Sequence, residues 1–183
     1  MTDVLVPDAA ILAGRSHWRY RGQQRPEFAQ ATAPGEESVW DFPRPPRQEP
    51  VDALVKIMNG DNLIAQTRRA VRVLETAGAP TYYLPPEDVH LERLHREGEA
   101  SVCEWKGVAT TFRVDDLPGA AWCYQRTFPE FSQIRGWLAF YPNHLECFVD
   151  GERVSPQPGG YYGGWVLPNL RGPIKGEPGS GGW

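Results

Sequence analysis

Proline and glycine constrain this chain more than any other feature. Its 183 residues include 18 prolines and 19 glycines, about one residue in five, where an average protein has roughly 12% of the two together. Proline breaks a helix interior by removing an N–H and crowding the preceding turn, and glycine weakens it through backbone entropy. Short strands joined by turns are therefore favoured over long helices. Seven Trp, seven Tyr and seven Phe bring enough apolar surface to build a core, which excludes global disorder. A compact, mainly antiparallel β fold of one domain is expected.

Charge and cysteine content narrow the function classes. Nineteen Lys and Arg against 23 Asp and Glu leave a net charge of −4, which argues against a general nucleic-acid binder. Cys103, Cys123 and Cys147 are odd in number and widely spaced, so they form no disulfide framework and no C-x-x-C pair. The opening residues carry Asp3 and Asp8 with no basic stretch before an apolar run, unlike a secretory leader. No segment approaches the roughly 20 apolar residues of a membrane span. The expectation is a reduced, cytoplasmic protein with neither membrane nor nucleic acid as partner.

Along the chain, residues 1–36 read as an N-terminal arm, 37–155 as the β domain and 156–183 as a tail. In the arm, Arg15, Arg19, Arg21 and Arg25 interleave with His17, Trp18 and Tyr20. Such a pattern can stack on bases, but in an acidic protein it reads as an extended arm with packed rings and solvated arginines. Residues 39–46 hold three prolines in four positions, an extended stretch anchored by Trp40 and Phe42. Two apolar runs around Asn59-Gly60 give the strongest hairpin signal. Residues 66–77 fit either helix or strand spacing, as do 87–97. Further strands are expected at 79–85, 100–103, 108–114, 120–125, 136–141 and 145–149, with a turn at Asp150-Gly151. The tail carries Tyr161, Tyr162, Trp165 and Trp183, too many large rings for a free linker, so it should wrap the domain.

Seven phrases in order resemble the DUF427 family, a domain of unknown function that some collections label a nucleotidyltransferase. They are VWDFPRPP (39–46), RAVRVLET (69–76), PTYYLPPEDV (80–89), CEWKGVAT (103–110), AAWCY (120–124), GWLAFYP (136–142) and YYGGW (161–165). The resemblance covers about residues 37–165. It implies a small, mostly β domain with a curved antiparallel sheet or open, barrel-like (β-tent-like) shape, and it resolves 69–76 towards strand. Glu104 stands where the family has proline, and Thr111-Phe112 replaces a usual aromatic.

Cys103-Glu104-Trp105-Lys106-Gly107 is the densest chemical group. A thiol beside a cation can act as a nucleophile, yet strand alternation would put Cys103 and Trp105 on one face and Glu104 and Lys106 on the other. The plainer reading makes Cys103 and Trp105 core. His90, His95 and Cys103 lack the two close pairs of a zinc site, so no metal and no cofactor are expected. Asp115-Asp116 and Glu87-Asp88 are adjacent pairs, which on a strand point apart, and no phosphate-binding loop phrase is present. The nucleotidyltransferase label therefore does not follow from these residues.

An aromatic excess remains. Trp105, Trp122, Tyr82, Tyr141 and Trp165 are candidates for stacking on a small aromatic or conjugated ligand, with Arg69 and Cys103 beside them. Glu75, Tyr83, Lys106 and Tyr124 are candidates for acid–base work without a cofactor. The rival reading is an interaction module whose arms recruit another protein or join copies of the chain. Mg-dependent nucleotidyl transfer stands third.

Overall fold

The hairpin announced by Asn59-Gly60 forms, with its turn one residue later than a centred Asn-Gly. Strands Val55–Asn59 and Asn62–Thr67 pair through Asn59 and Asn62, leaving Gly60 and Asp61 as the loop. Gly60 has φ +57°, the glycine-first pattern that matches strand twist in two-residue loops. The computed structural model describes residues 5–183; the leader reading at Asp3 lies outside the described residues. Glu146–Val149 and Glu152–Arg153 complete this first sheet, in the order 152–153, 146–149, 55–59, 62–67.

A second four-stranded antiparallel sheet runs 138–140, 117–127, 107–114, 94–103. A third, of strands 47–50, 71–74 and 81–83, joins it where the backbones of Leu84 and Leu138 exchange hydrogen bonds at 2.8 and 2.9 Å. The chain is mainly β, but its strands form several small sheets, and among the described residues none closes into a barrel. Residues 71–74 are strand, whereas 86–88 and 91–93 are short 3-10 turns before the long strand from Leu94. Among the described residues no helix is long and apolar enough to cross a membrane.

Strand 117–127 divides the interior by simple alternation. Ala121 and Cys123 pack with Val55, Ile57, Ile64, Leu138 and Trp165, while Trp122 and Tyr124 face Val71, Val73, Tyr83 and Ala139. Successive residues thus serve two separate apolar clusters. A third cluster gathers Val39, Trp40, Phe42, Leu74, Leu170 and Ile174. There Trp40, Phe28, Tyr20 and Trp183 meet ring to ring, so the segment 20–40 and the C-terminal residue are anchored together.

The terminal segments depart from extended arms. Residues Ala9–His17 form a helix whose first turn is capped by Asp8, with Oδ1 accepting from the Ile11 N–H at 2.9 Å, an N-cap signal the arm reading passed over. The arm arginines also do more than sit in water. Arg15 lies over the Trp105 and Phe128 rings, and Arg21 donates to the Arg15 carbonyl. Residues 155–156 pair with 165–166, and 170–171 run parallel to 37–38.

Candidate functional site

Where the inner face of strand 117–127 meets the third sheet, the rings do not fill the space. A cavity of about 610 Å³ opens there, within the 300–1,000 Å³ usual for a small-molecule site. Cross-strand register builds its floor: Ala109 opposes Tyr124, Thr111 opposes Trp122, and Val73 opposes Thr81. Tyr141 lies 4.4 Å from Trp122 between ring centres. The tail supplies a wall through Gln157, Tyr161, Tyr162, Gly163 and Lys175, and the N-terminal segment another through Trp18 and Arg44. Gly163 is required where it stands, since a Cβ there would lie 2.1 Å from the Trp122 ring.

The sequence Cys103–Gly107 does not follow strand alternation. Cys103 pairs with Gly107 to close a hairpin, and Glu104, Trp105 and Lys106 form its turn. Gly107 makes this possible, with φ +127° and no room for a Cβ beside the Arg126 carbonyl. The turn brings Cys103, Glu104 and Lys106 to the cavity together and sends Trp105 the other way, beneath Arg15.

An ionic network lines one side. Arg44 Nε donates to Glu75 Oε1 at 3.1 Å, and Lys106 Nζ lies 3.9 Å from Glu75 Oε2. Arg44 also donates to the carbonyls of Tyr20 and Thr76 at 2.8 and 2.9 Å, which fixes a guanidinium only 1% exposed. Burial lowers its pKa, and Glu75 works against that. Glu75 itself leads into a tight turn in which Ala77 holds φ +69°. That conformation is secured because Ala77 N–H donates to Val39 and its carbonyl accepts from Lys175 N–H at 2.7 Å. Burial pulls the Lys106 pKa down, but the Cys103 thiol, Tyr83 and Glu75 around it more than offset this and raise it. Lys106 is a cation that faces Glu75. Burial raises the phenols of Tyr83 and Tyr124, so both are hydrogen-bond donors at neutral pH.

Next to this network, Trp18 meets two cations. The Arg44 guanidinium sits 4.5 Å from its ring centre and Lys175 Nζ 3.5 Å, while Trp18 Nε1 donates to Glu104 Oε1 at 2.7 Å. Burial, then Arg44, pulls the Lys175 pKa down to about 8. The indole face opposes that shift, by about 0.5–2 kcal/mol for such a contact. Three basic side chains face two carboxylates here, inside a protein whose net charge is negative.

Of the residues singled out in the sequence, Glu75, Tyr83, Cys103, Lys106, Trp122, Tyr124 and Tyr141 meet at this cavity. Four do not. Tyr82 stacks on Trp165 at 4.5 Å in the core, and Trp165 Nε1 donates to the Phe140 carbonyl at 3.0 Å. Trp105 is buried outside the lining, and Arg69 is a surface residue paired with Asp88 at 2.8 Å. Trp18, Arg44, Glu104, Tyr162 and Lys175 are additions the sequence reading missed. Lys175 could have been found by scarcity, because only Lys56, Lys106 and Lys175 are lysines and two of the three line the cavity. Among the described residues no cluster of three or more His, Cys, Asp or Glu is arranged for a metal.

Residues 47–151 match the family model described as a domain of unknown function, DUF427. The chain belongs to the DUF427 family. No curated protein matches it. The matched span holds the cavity floor, from Glu75 to Tyr141, whereas Trp18, Arg44, Tyr162 and Lys175 flank the DUF427 segment on either side.

Proposed function

We propose that this DUF427 protein is a cytoplasmic protein that binds a small aromatic or conjugated molecule with an anionic oxygen and acts on it by cofactor-independent acid–base chemistry. The observation that carries this reading is the Tyr83 hydroxyl. It is fully buried at the cavity wall, beside Lys106, and its O–H donates to no group in the protein, although the Trp122 indole N–H approaches its oxygen. An unpaired buried donor costs about 1–3 kcal/mol, and a ligand oxygen placed between Tyr83, Tyr124 and Lys106 would recover it. Trp122 and Tyr141 offer ring faces for stacking. A carboxylate or enolate oxygen would gain from donors already fixed in place, and Glu75 is the carboxylate at hand to exchange a proton with the ligand.

Two alternatives are less well supported. An interaction module would present its terminal rings outward, but Trp18, Tyr162 and Trp40 turn inward, leaving Tyr161 and Phe28 as the exposed terminal rings. Nucleotidyl transfer needs convergent carboxylates for Mg²⁺, whereas Glu75 is tied to Arg44 and Glu104 to Trp18.

A thermal-shift and fluorescence screen of the whole chain against benzoates, hydroxybenzoates and larger polycyclic phenols tests the proposal. Aromatic anions should stabilise the protein and quench tryptophan emission. Lys106→Met should weaken binding roughly 10- to 150-fold, the value of a charge-assisted hydrogen bond. No binding of any aromatic anion at millimolar concentration would overturn the reading, as would Mg-dependent transfer from a nucleoside triphosphate with no aromatic anion bound.

A further inference from the structure

Lys106 and Lys175 share one cavity but sit in opposite surroundings. Lys106 is held beside Glu75 and Cys103, whereas no carboxylate lies in salt-bridge range of Lys175 among the described residues. Lys175 is nevertheless buried, 6% exposed, with Nζ over the Trp18 face and 5.4 Å from the Tyr162 ring centre. Its backbone is pinned on both sides, through N–H to Ala77 and through the carbonyl to Gln157 Nε2 at 2.8 Å. A buried amine on a fixed backbone, between two aromatic faces and without a counter-ion, is placed for nucleophilic work.

We propose that Lys175 captures a carbonyl: its Nζ forms an imine with an aldehyde or ketone carried by the aromatic ligand of this cavity. The inference rests on the small-molecule reading above and names the ligand class more closely. The lone pair of the neutral amine attacks the carbonyl carbon, a C–N bond forms, and the π pair moves to oxygen. Proton transfer from nitrogen to oxygen gives the carbinolamine, with Glu75 of the same cavity lining to carry the proton. The remaining N–H proton passes to the hydroxyl as the C–O bond breaks, water leaves, and the nitrogen lone pair forms the C=N bond. One amine and one carbonyl yield one imine and one water, with no oxidant or reductant. Lys106 is the anchor in this arrangement and Lys175 the nucleophile.

The groups facing Lys175 are Arg44, Glu75, Glu104 and Tyr162. Arg44 and burial favour the neutral amine and the two carboxylates oppose it, with a net fall to about 8. An exposed lysine titrates near 10.4, so capture by Lys175 should become half-maximal about two pH units earlier.

The full chain is incubated with para-formylbenzoate and cyanoborohydride, which reduces an imine to a stable amine, and the adduct is mapped by peptide mass spectrometry. One adduct is expected on Lys175, with a rate rising through about pH 8 and slowed by benzoate. Lys175→Arg, which keeps the charge over Trp18, should abolish the adduct, and Lys56→Arg should leave it intact. Mapping on the unaltered chain keeps the test valid if a variant folds poorly. Equal labelling of Lys56, Lys106 or the N-terminal amine overturns the proposal, as does undiminished labelling of Lys175→Arg. If benzoate quenches fluorescence but Lys175 is not labelled, imine capture falls and the small-molecule reading stands. If neither compound binds, that reading fails and takes the inference with it.

Discussion

Tyr83→Phe separates a functional hydroxyl from a structural one by the sign of its effect on stability. Tyr83 lies with its ring against Trp122 and Tyr124, at centroid distances of 6.4 and 6.3 Å, and those contacts survive in phenylalanine. Only the oxygen is lost, and its O–H donates to no group in the protein, with the Trp122 indole N–H lying beside it. Removing one member of an ordinary buried hydrogen bond costs about 1–3 kcal/mol, because the other member is left unpaired. Here the loss of the hydroxyl strands no acceptor. Stability should therefore stay level or rise, by up to about 1–3 kcal/mol, and each kcal/mol moves the midpoint by roughly 2–4 °C in a chain of this size. Ligand affinity should move the opposite way. An aromatic anion that accepts from this hydroxyl should bind roughly 10- to 150-fold more weakly, the worth of a hydrogen bond to a charged group. Urea unfolding and a fluorescence titration on the same preparation read both quantities. A stability loss above about 1 kcal/mol, or unchanged affinity for every aromatic anion that binds the parent, would refute the reasoning.

Trp165→Phe should do the reverse, lowering stability by about 1–3 kcal/mol in urea because Phe140 loses the indole N–H, with ligand affinity unchanged in the fluorescence titration. Arg69→Ala should leave affinity unchanged in the same assay. Its hydrogen bond, with that of Thr67, lowers the Asp88 pKa, so the stability it adds is present above about pH 4 and lost as pH falls further. Acid titration should show parent and variant converging below that point. Gly163→Ala should push the tail off Trp122, costing about 1–3 kcal/mol by overpacking and weakening ligand binding, as measured by denaturation and titration.

How much of this site was legible depended on what alternation could decide. Tyr82 and Tyr83 had to point apart, yet nothing in the two identical residues says which side holds a cavity. Packing of Tyr82 on Trp165 settles it. The strand rule failed at Cys103–Gly107 because the chain turns there, and the glycine after Lys106 was the available signal. Arg44 was hidden by its neighbours, since the prolines on both sides marked the segment as scaffold. In the arm, the alternation of cations and rings was real but its target was internal. Arg15 covers Trp105, Arg19 covers Tyr20 and Arg44 covers Trp18, so the rings that could have met bases meet the protein's own guanidinium groups. The hairpin at Gly60 and the strands after it were legible because their turn residues and periods agree.

Glu104 ties these threads together, because it stands where the family resemblance expects proline. A proline there would keep the carbonyl that accepts from Arg15 Nε at 2.7 Å but would lose the carboxylate that accepts from Trp18 Nε1 at the same distance. Trp18 is the ring on which Lys175 rests, so one substitution in the hairpin turn links the N-terminal segment, the tail and the cavity. Glu104→Pro should therefore release the segment from Trp18 back to the helix Ala9–His17 while sparing the sheets. A charge-assisted hydrogen bond is worth about 1.5–3 kcal/mol, enough to raise amide exchange of that helix roughly 10- to 150-fold. Glu104→Gln, which keeps an acceptor oxygen, should exchange nearly as slowly as the parent. If Glu104→Pro leaves helix protection unchanged, the segment is held by Arg15 and its packing alone. Trp18 would then be a lining ring that the turn does not control.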